Sequence, residues 1–232
     1  MNFMVRPSKS FLFDVLEKKL SRLPGEIGLD AASAHFKNRK MFKTDSYYGL
    51  DIDLEALKKG ISRNIFPNTF ALYADLTKLD LLPENSADVI VSTNTLYMLT
   101  CQDRLKAINN LGRLTYNSFL LELPIDECLS KAIELLYKYF DQVKVIYYKN
   151  IFCRFYEKIF EKNGFLGSHP IAGLKPFRLL AWLISRLEFL TCFTSFGNES
   201  AFIACSHKRD VKRKEKFDLS KLSLIDNRIY KL

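Results

Sequence analysis

Histidine is scarce in this sequence. Only His35, His169 and His207 occur among its 232 residues, and none stands beside a carboxylate that would pair with it for acid–base work. The five cysteines, Cys101, Cys128, Cys153, Cys192 and Cys205, are isolated, with no C-x-x-C pair and no histidine at metal-ligand spacing. They read as ordinary reduced thiols, which predicts neither a disulfide frame nor a zinc site. Long apolar runs are missing too. Phe11-Leu12-Phe13, behind Arg6 and Lys9, is too short for the core of a signal peptide, and charges interrupt the apolar stretch at 175–190, so no spanning segment is expected. A G-x-G-x-x-G turn and a Tyr-x-x-x-Lys pair are both absent, which speaks against a nicotinamide-dependent oxidoreductase.

Acidic residues are in deficit, and the net charge is +9. Residues 208–232 carry nine basic and four acidic side chains and residues 1–25 five basic and two acidic, so +8 sits in the ends and +1 in the body. A fold that grips nucleic acid carries a basic stripe on its folded surface. Here the run Lys208 to Lys216 reads as a solvated extension, with at most weak, salt-screened attraction to anionic lipid or polyphosphate. A chain of this length buries about 70–75% of the surface its unfolded form exposes, enough for a core without staples. The expected organisation is an amphipathic helix over 1–22, a main domain over 23–207 with a helical insertion at 172–198, and a basic tail over 208–232.

What the chain does hold is a regular alternation between Leu23 and Leu99. Gly25-Glu26-Ile27-Gly28-Leu29-Asp30-Ala31-Ala32-Ser33 reads as a strand and loop, followed by the polar run His35 to Lys40. Tyr47 to Asp53 is an apolar strand ending in carboxylates and leading into the helical Leu54 to Ser62. Phe70 to Leu76 and Ala87 to Asn94 are the third and fourth strands. Short apolar strands alternating with amphipathic segments predict a parallel sheet covered by helices. Ligands of such sheets bind outside the carboxyl ends of the strands, where Gly28, Asp51, Asp75 and Asn94 are expected. Asp53, ahead of Leu54-Glu55-Ala56-Leu57, suits a helix N-cap. Asp75-Leu76-Thr77 suits either a ligand contact or a turn, and Asp88 reads as structural.

These residues resemble the class I S-adenosylmethionine-dependent methyltransferases, in their small-molecule branch. Glu26-Ile27-Gly28 is similar to the acidic residue, aliphatic residue and first glycine that open the family's G-x-G-x-G loop. Tyr48-Gly49-Leu50-Asp51-Ile52 resembles the second strand, whose terminal acid binds the ribose hydroxyls, and Ala74-Asp75-Leu76 resembles the adenine motif. Leu82 to Ser92 is similar to the family's LP-x-x-S-x-D entry to strand four, and Glu161-Lys162-Asn163-Gly164-Phe165 to its glycine-phenylalanine turn before strand six. The resemblance implies a Rossmann-like, doubly wound α/β fold: a mostly parallel seven-stranded sheet with helices on both faces and an antiparallel last strand. It implies S-adenosylmethionine as cofactor, held by Glu26, Gly28, Asp30, Asp51, Ile52, Asp75, Leu76 and Asn94. Asp30 and Ala32 depart from the pattern, standing where the loop's second and third glycines would be and narrowing the clearance beside the methionine moiety.

Beyond strand four, Gln102 to Leu111 is helical, Ser118 to Pro124 is strand five, and Glu127 to Tyr139 is helical. Val143 to Tyr148 is a β-branched and aromatic run without an assigned place. Phe152 to Lys162 is expected to be the helix before a sixth strand near Leu166 to Ile171, with Glu199 to Ser206 the last strand. Between these, Lys175 to Leu190 places Phe177, Leu179, Leu180, Leu183, Ile184, Leu187 and Leu190 on one helical face. That face either covers the sheet or acceptor cleft, or lies at a membrane interface with Trp182 and the arginines at headgroup level.

Methyl transfer from a sulfonium is an in-line displacement in which the enzyme mainly aligns donor and acceptor. His35 near the donor loop and Tyr97, which follows strand four where the family's acceptor pocket is faced, are the two candidates for the catalytic group. The amino-methylating signature of Asp, Asn or Ser before Pro-Pro-aromatic is replaced by Ser92-Thr93-Asn94-Thr95, and no cysteine stands where a pyrimidine-methylating nucleophile would. The leading expectation is O-methylation of a small, glycan-like or lipid-linked acceptor by a cytoplasmic protein, peripheral at the inner membrane face through 175–190 and the tail, with no specific nucleic-acid partner. A methyltransferase-like binding or scaffold protein with a degraded loop is the second reading, and RNA methylation a weaker one.

Overall fold

The computed structural model describes residues 6–63, 66–160, 175–209, 215 and 217–232. Two compact units form, Met1–Lys18 with Val145–Phe202, and Lys19–Lys144 with Ile203–Leu232.

The second unit holds most of the sheet. β1 (Pro24–Ala31), β2 (Lys43–Asp51), β3 (Thr69–Tyr73), β4 (Ala87–Ser92) and β5 (Thr115–Pro124) carry buried apolar runs, as strands covered on both faces must. β2 leads into helix α2 (Leu54–Arg63), β4 into α3 (Cys101–Leu114), and β5 into α4 (Leu129–Tyr139) and then β6 (Phe140–Tyr148). With β7 (Ser200–Lys208), β8 (Ser223–Asp226) and β9 (Ile229–Lys231), the order is β6-β7-β5-β4-β1-β2-β3-β9-β8. β1 pairs in parallel with both β2 and β4, β2 with β3, and β4 with β5. The sheet is thus a mostly parallel Rossmann-like one with helices on both sides, and strand order reverses between β1 and β4.

Its nine strands exceed the expected seven because of the tail. Most of the run Lys208 to Lys216 lies outside the described residues, but the tail beyond it joins the sheet: β9 pairs in parallel with β3, β8 and β9 form an antiparallel hairpin, and Phe217 packs on Tyr48 with ring centroids 4.5 Å apart. Ile229 is buried in that pairing. The run Val143 to Tyr148 finds its place in β6, a sheet edge. The sixth strand expected near Leu166 to Ile171 and the turn Glu161 to Phe165 lie outside the described residues, as does His169.

The expectation of separate thiols fails at one pair. Cys101, the first residue of α3, and Cys128, ahead of α4, are joined in a disulfide with Cα atoms 5.6 Å apart. Two helices entered from adjacent strands begin side by side, which brings together residues 27 apart in sequence. Arg104 ties the same loops, bonding Leu96 O at 2.9 Å and pairing with Asp126 at 2.6 Å.

The first unit contains most of α1 (Pro7–Leu20), with α5 (Ile151–Phe160) and α6 (Lys175–Arg186), which continues as a 3-10 turn, Leu187–Leu190. Phe11 packs against Tyr148 and Phe189 at 5.8 and 5.1 Å. Glu157 on α5 accepts the main-chain N–H of Ser8 at 3.0 Å and the Ser8 hydroxyl. The face of α6 turned inward is not the leucine face: Ala181, Ser185 and Glu188 are buried, while Leu179, Leu180, Leu183 and Leu190 are exposed.

Candidate functional site

At the carboxyl ends of β1 to β4 the chain makes three tight turns. The first, Ala32 to Phe42, joins β1 to β2 without an α-helix; a 3-10 turn, Arg39–Met41, is its only regular piece. Within it Ala32, Ala34 and Phe36 take left-handed backbone, with φ of 64°, 47° and 59°. These are conformations glycine adopts freely and other residues do not. The three share the i, i+2, i+4 spacing expected of the loop glycines, displaced four residues along the chain. Gly28, expected in the loop, stands inside β1 opposite Tyr47 and Val89, and a Cβ there would meet Phe42 at 2.4 Å. Its absence of a side chain therefore serves packing.

Asp51 is the focal acid. It ends β2 at the expected place; Oδ2 accepts the N–H of Ala34 at 2.8 Å and Oδ1 that of Asp53 at 3.0 Å. Each carboxylate oxygen accepts two hydrogen bonds, so each retains one acceptor position, and the residue is part-exposed. Ile52 beside it is exposed. Asp53 caps α2 by accepting from the N–H of Ala56 at 3.0 Å. Asp75 accepts the main-chain N–H and hydroxyl of Thr77, both at 2.8 Å, and that main-chain bond chiefly holds its pKa below the usual carboxylate value. Leu76 is buried, its carbonyl accepting from Asn110 Nδ2 at 3.0 Å. Asn94 after β4 is left-handed at φ 62° and donates its N–H to Glu122 Oε2 at 2.8 Å.

Besides Gly28, two more of the expected residues lie elsewhere. Glu26 is in the amino half of β1, where its N–H, with that of Ile27, donates to Asp88 Oδ2 at 2.9 and 2.8 Å. Asp88 is the structural residue anticipated, and a cleft of about 500 Å³ lined by Gly25, Glu26, Lys43, Asp45, Asp88 and Tyr116 opens at that amino end, away from Asp51. Asp30 is wholly buried, accepting from Tyr47 OH at 2.6 Å and Asn38 Nδ2 at 3.1 Å. Burial pushes its pKa up to about 6 against the pull of those two bonds. It anchors the first turn from beneath and presents nothing to a ligand. Arg39 completes the support, its Nε bonding Thr69 Oγ1 at 3.1 Å and its guanidinium lying 5.3 Å from the Tyr47 ring. The acceptor-side candidates differ. His35 is exposed, with Nδ1 3.2 Å from Ala56 O; in the neutral ring that contact puts the proton on Nδ1 and leaves Nε2 as the acceptor. Tyr97 stands exposed in the 3-10 turn Leu96–Met98 beyond β4.

Sequence reasoning missed Ser33, Phe36, Ser92 and Glu122. The hydroxyls of Ser33 and Ser92, after β1 and at the end of β4, are buried without a hydrogen-bond partner in the protein. The Phe36 ring fills the space over Gly49, where a Cβ would meet it at 2.2 Å, and also lines Gly60. Loss of the glycine signal hid this loop. A nucleoside fits these residues: a carboxylate with open acceptor positions at the end of β2, exposed Ile52 beside it, and unsatisfied hydroxyls at the ends of β1 and β4. The loop keeps the left-handed path while methyl groups and a phenyl ring stand where hydrogens would give more room.

Comparison with known proteins agrees. Residues 27–117 match the model of the methyltransferase domain family; of the residues that carry the resemblance, Ile27 to Ser92 fall within that span and Glu26 and Glu161 to Phe165 outside it. Among curated proteins none matches the sequence. Among solved structures, the [4+2]-cyclase SpnF shares 12% identity over 84% of this chain and 80% of its own, with a TM-score of 0.55. The N-methyltransferase NodS of Bradyrhizobium japonicum, solved with S-adenosylhomocysteine, shares 12% over 85% and 87%, TM-score 0.53. Phosphoethanolamine N-methyltransferase 2 of Haemonchus contortus, solved with S-adenosylmethionine, shares 16% over 86% of this chain and 52% of its own, TM-score 0.53. At such identities the shared property is the fold.

Proposed function

With residues 27–117 matching the methyltransferase domain, we propose that this chain is an S-adenosylmethionine-dependent methyltransferase whose acceptor is a small, glycan-like or lipid-linked molecule methylated at oxygen. The observation that carries the donor half is Asp51, placed at the carboxyl end of β2 next to the reversal of strand order, with one acceptor position open on each oxygen. Its carboxylate accepts the two ribose hydroxyls. Ile52 lies against the nucleoside, Asp75 and Leu76 border the adenine, and Asn94 closes the site from β4. Ser33 and Ser92 supply hydroxyl partners where their own bonding is incomplete. The cofactor's sulfonium methyl is the electrophile. The chain's own contribution is alignment, with His35 Nε2 available to take the proton of an acceptor hydroxyl and Tyr97 to hydrogen-bond the acceptor. A site without a Pro-Pro-aromatic motif or a nucleophilic cysteine suits hydroxyl acceptors rather than nucleobases.

A second reading has its own observation. Methyl groups at Ala32 and Ala34 and the ring of Phe36 crowd the loop, which favours a fold that binds without transferring a methyl group. Incubation of the full chain with methyl-labelled S-adenosylmethionine and either soluble glycans or extracted lipid-linked sugars separates the two. Label in the lipid-linked fraction supports the first reading, and S-adenosylhomocysteine binding without label transfer to either acceptor supports the second.

A further inference from the structure

The first unit wears its apolar residues outside. On α5 the inward side is Cys153, Tyr156 and Glu157, while Ile151, Phe152 and Phe155 face solvent. On α6 the inward stripe is Ala181 and Ser185, continued by Glu188, and the leucines at 179, 180 and 183 are exposed. Beyond them Leu190, Phe193 and Phe196 are 71%, 77% and 89% exposed. A helix packed only against its own protein turns its leucines inward. Two helices and the turn after the second that do the reverse are adapted to an apolar environment outside the chain.

Charge identifies that environment. Of the described acids of 145–202, Glu157 and Glu188 are buried, the first bonding Ser8 and the second accepting from the N–H groups of Lys149 and Asn150, while Glu199 is exposed but paired with Lys149 and Arg154 at 3.0 and 2.9 Å. Lys158 and Arg178 remain exposed beside the apolar side chains, while Arg186, 4.8 Å from the Trp182 ring, is paired with Asp14. Among the described residues no helix is long and apolar enough to cross a membrane. Protruding phenylalanines and leucines flanked by cations, with the acids buried or paired, match the interface of an anionic bilayer, which needs no preformed hole to receive them. We propose that the face formed by α5, α6 and residues 187–196 inserts into the headgroup region of anionic phospholipid membranes. The proposal concerns this unit alone; only its link to a lipid-linked acceptor rests on the function proposed above.

The test uses the full chain without cofactor, sedimented with vesicles of phosphatidylcholine alone or mixed with phosphatidylglycerol, and with the double variant Phe193→Ser/Phe196→Ser. Both positions are exposed, and circular dichroism confirms that the variant is folded. The expected result is co-sedimentation with the mixed vesicles, weaker binding to phosphatidylcholine, a blue shift of the single tryptophan, Trp182, and a loss of affinity of about 100-fold in the double variant. A chain that stays in the supernatant with both vesicles, or a double variant that binds like its parent, overturns the proposal. So does a dimer in sedimentation velocity that the variant abolishes while vesicles bind neither protein, which would make the face a contact between copies. No cofactor is present in any arm, so failure here leaves the donor site untouched.

Discussion

The acid that matters least to a ligand matters most to the pH response. Asp30 is buried with a pKa near 6, above its unfolded value, so between about pH 4 and 6 the folded chain binds more protons than the unfolded one. Its contribution to stability is therefore greatest below that window and falls as pH rises through it. Asp30→Asn removes the buried charge, keeps an acceptor for Tyr47 and brings a donor to Asn38 Oδ1, which has no partner in the parent. The variant should be more stable than the parent at pH 7 by roughly 1–3 kcal/mol and equal to it near pH 4, as denaturant titrations at the two values would show. Equal differences at both would place the cause elsewhere. At Ala34 the backbone is left-handed at φ 47°, so Ala34→Gly should gain about 1 kcal/mol in thermal unfolding and bind S-adenosylhomocysteine at least as well. A loss of stability would mean that the methyl group is packing, not strain. The loop was illegible in the sequence because glycine is its usual mark and the nearest glycine, Gly28, lies inside β1, whereas the fold holds the left-handed path with Ala32, Ala34 and Phe36. Asp51 was legible because a carboxylate ending an apolar strand before a capped helix leaves few places for it to be.

Among elements, β1 to β5 were legible as apolar runs bounded by turn residues, and the capping acid Asp53 fixed the start of α2. The orientation of α6 was not. Periodicity gives a helix an apolar face without saying which way it points, and only the buried Ala181, Ser185 and Glu188 decide it. The tail's hairpin had a signal that net charge obscured: Leu224-Ile225 and Ile229-Tyr230 flank Asp226-Asn227-Arg228, two apolar pairs about a turn. Truncation after Glu215 strips the partner of β3 and the ring over Tyr48, so it should lower stability by about 2 kcal/mol or more. Unchanged urea unfolding would return the segment to a mere extension. The Cys101–Cys128 bridge left no local trace, since its halves come from different crossovers. It closes a loop of the size for which chain entropy gives about 3 kcal/mol, and dithiothreitol should lower the melting temperature of the parent to that of Cys101→Ser. A parent insensitive to reductant would mean that the thiols are not joined in solution.

At the scale of the molecule, a mostly parallel sheet with its order reversing between β1 and β4 places Asp51, Asp75 and Asn94 at one end, while Glu26 and Asp88 are at the other. Topology therefore sorted the sequence candidates: those at strand ends stayed, and those counted from a glycine inside β1 left. The proposal that this end holds S-adenosylmethionine is tested most directly by calorimetric titration of the full chain and of Asp51→Ala with S-adenosylhomocysteine, with NADH as the control. Micromolar binding by the parent, none of NADH, and a loss of about 1.5–3 kcal/mol in the variant are predicted, since the missing bonds are charge-assisted. A folded parent that binds no S-adenosylhomocysteine, or a variant that binds it as tightly as the parent, would contradict the account.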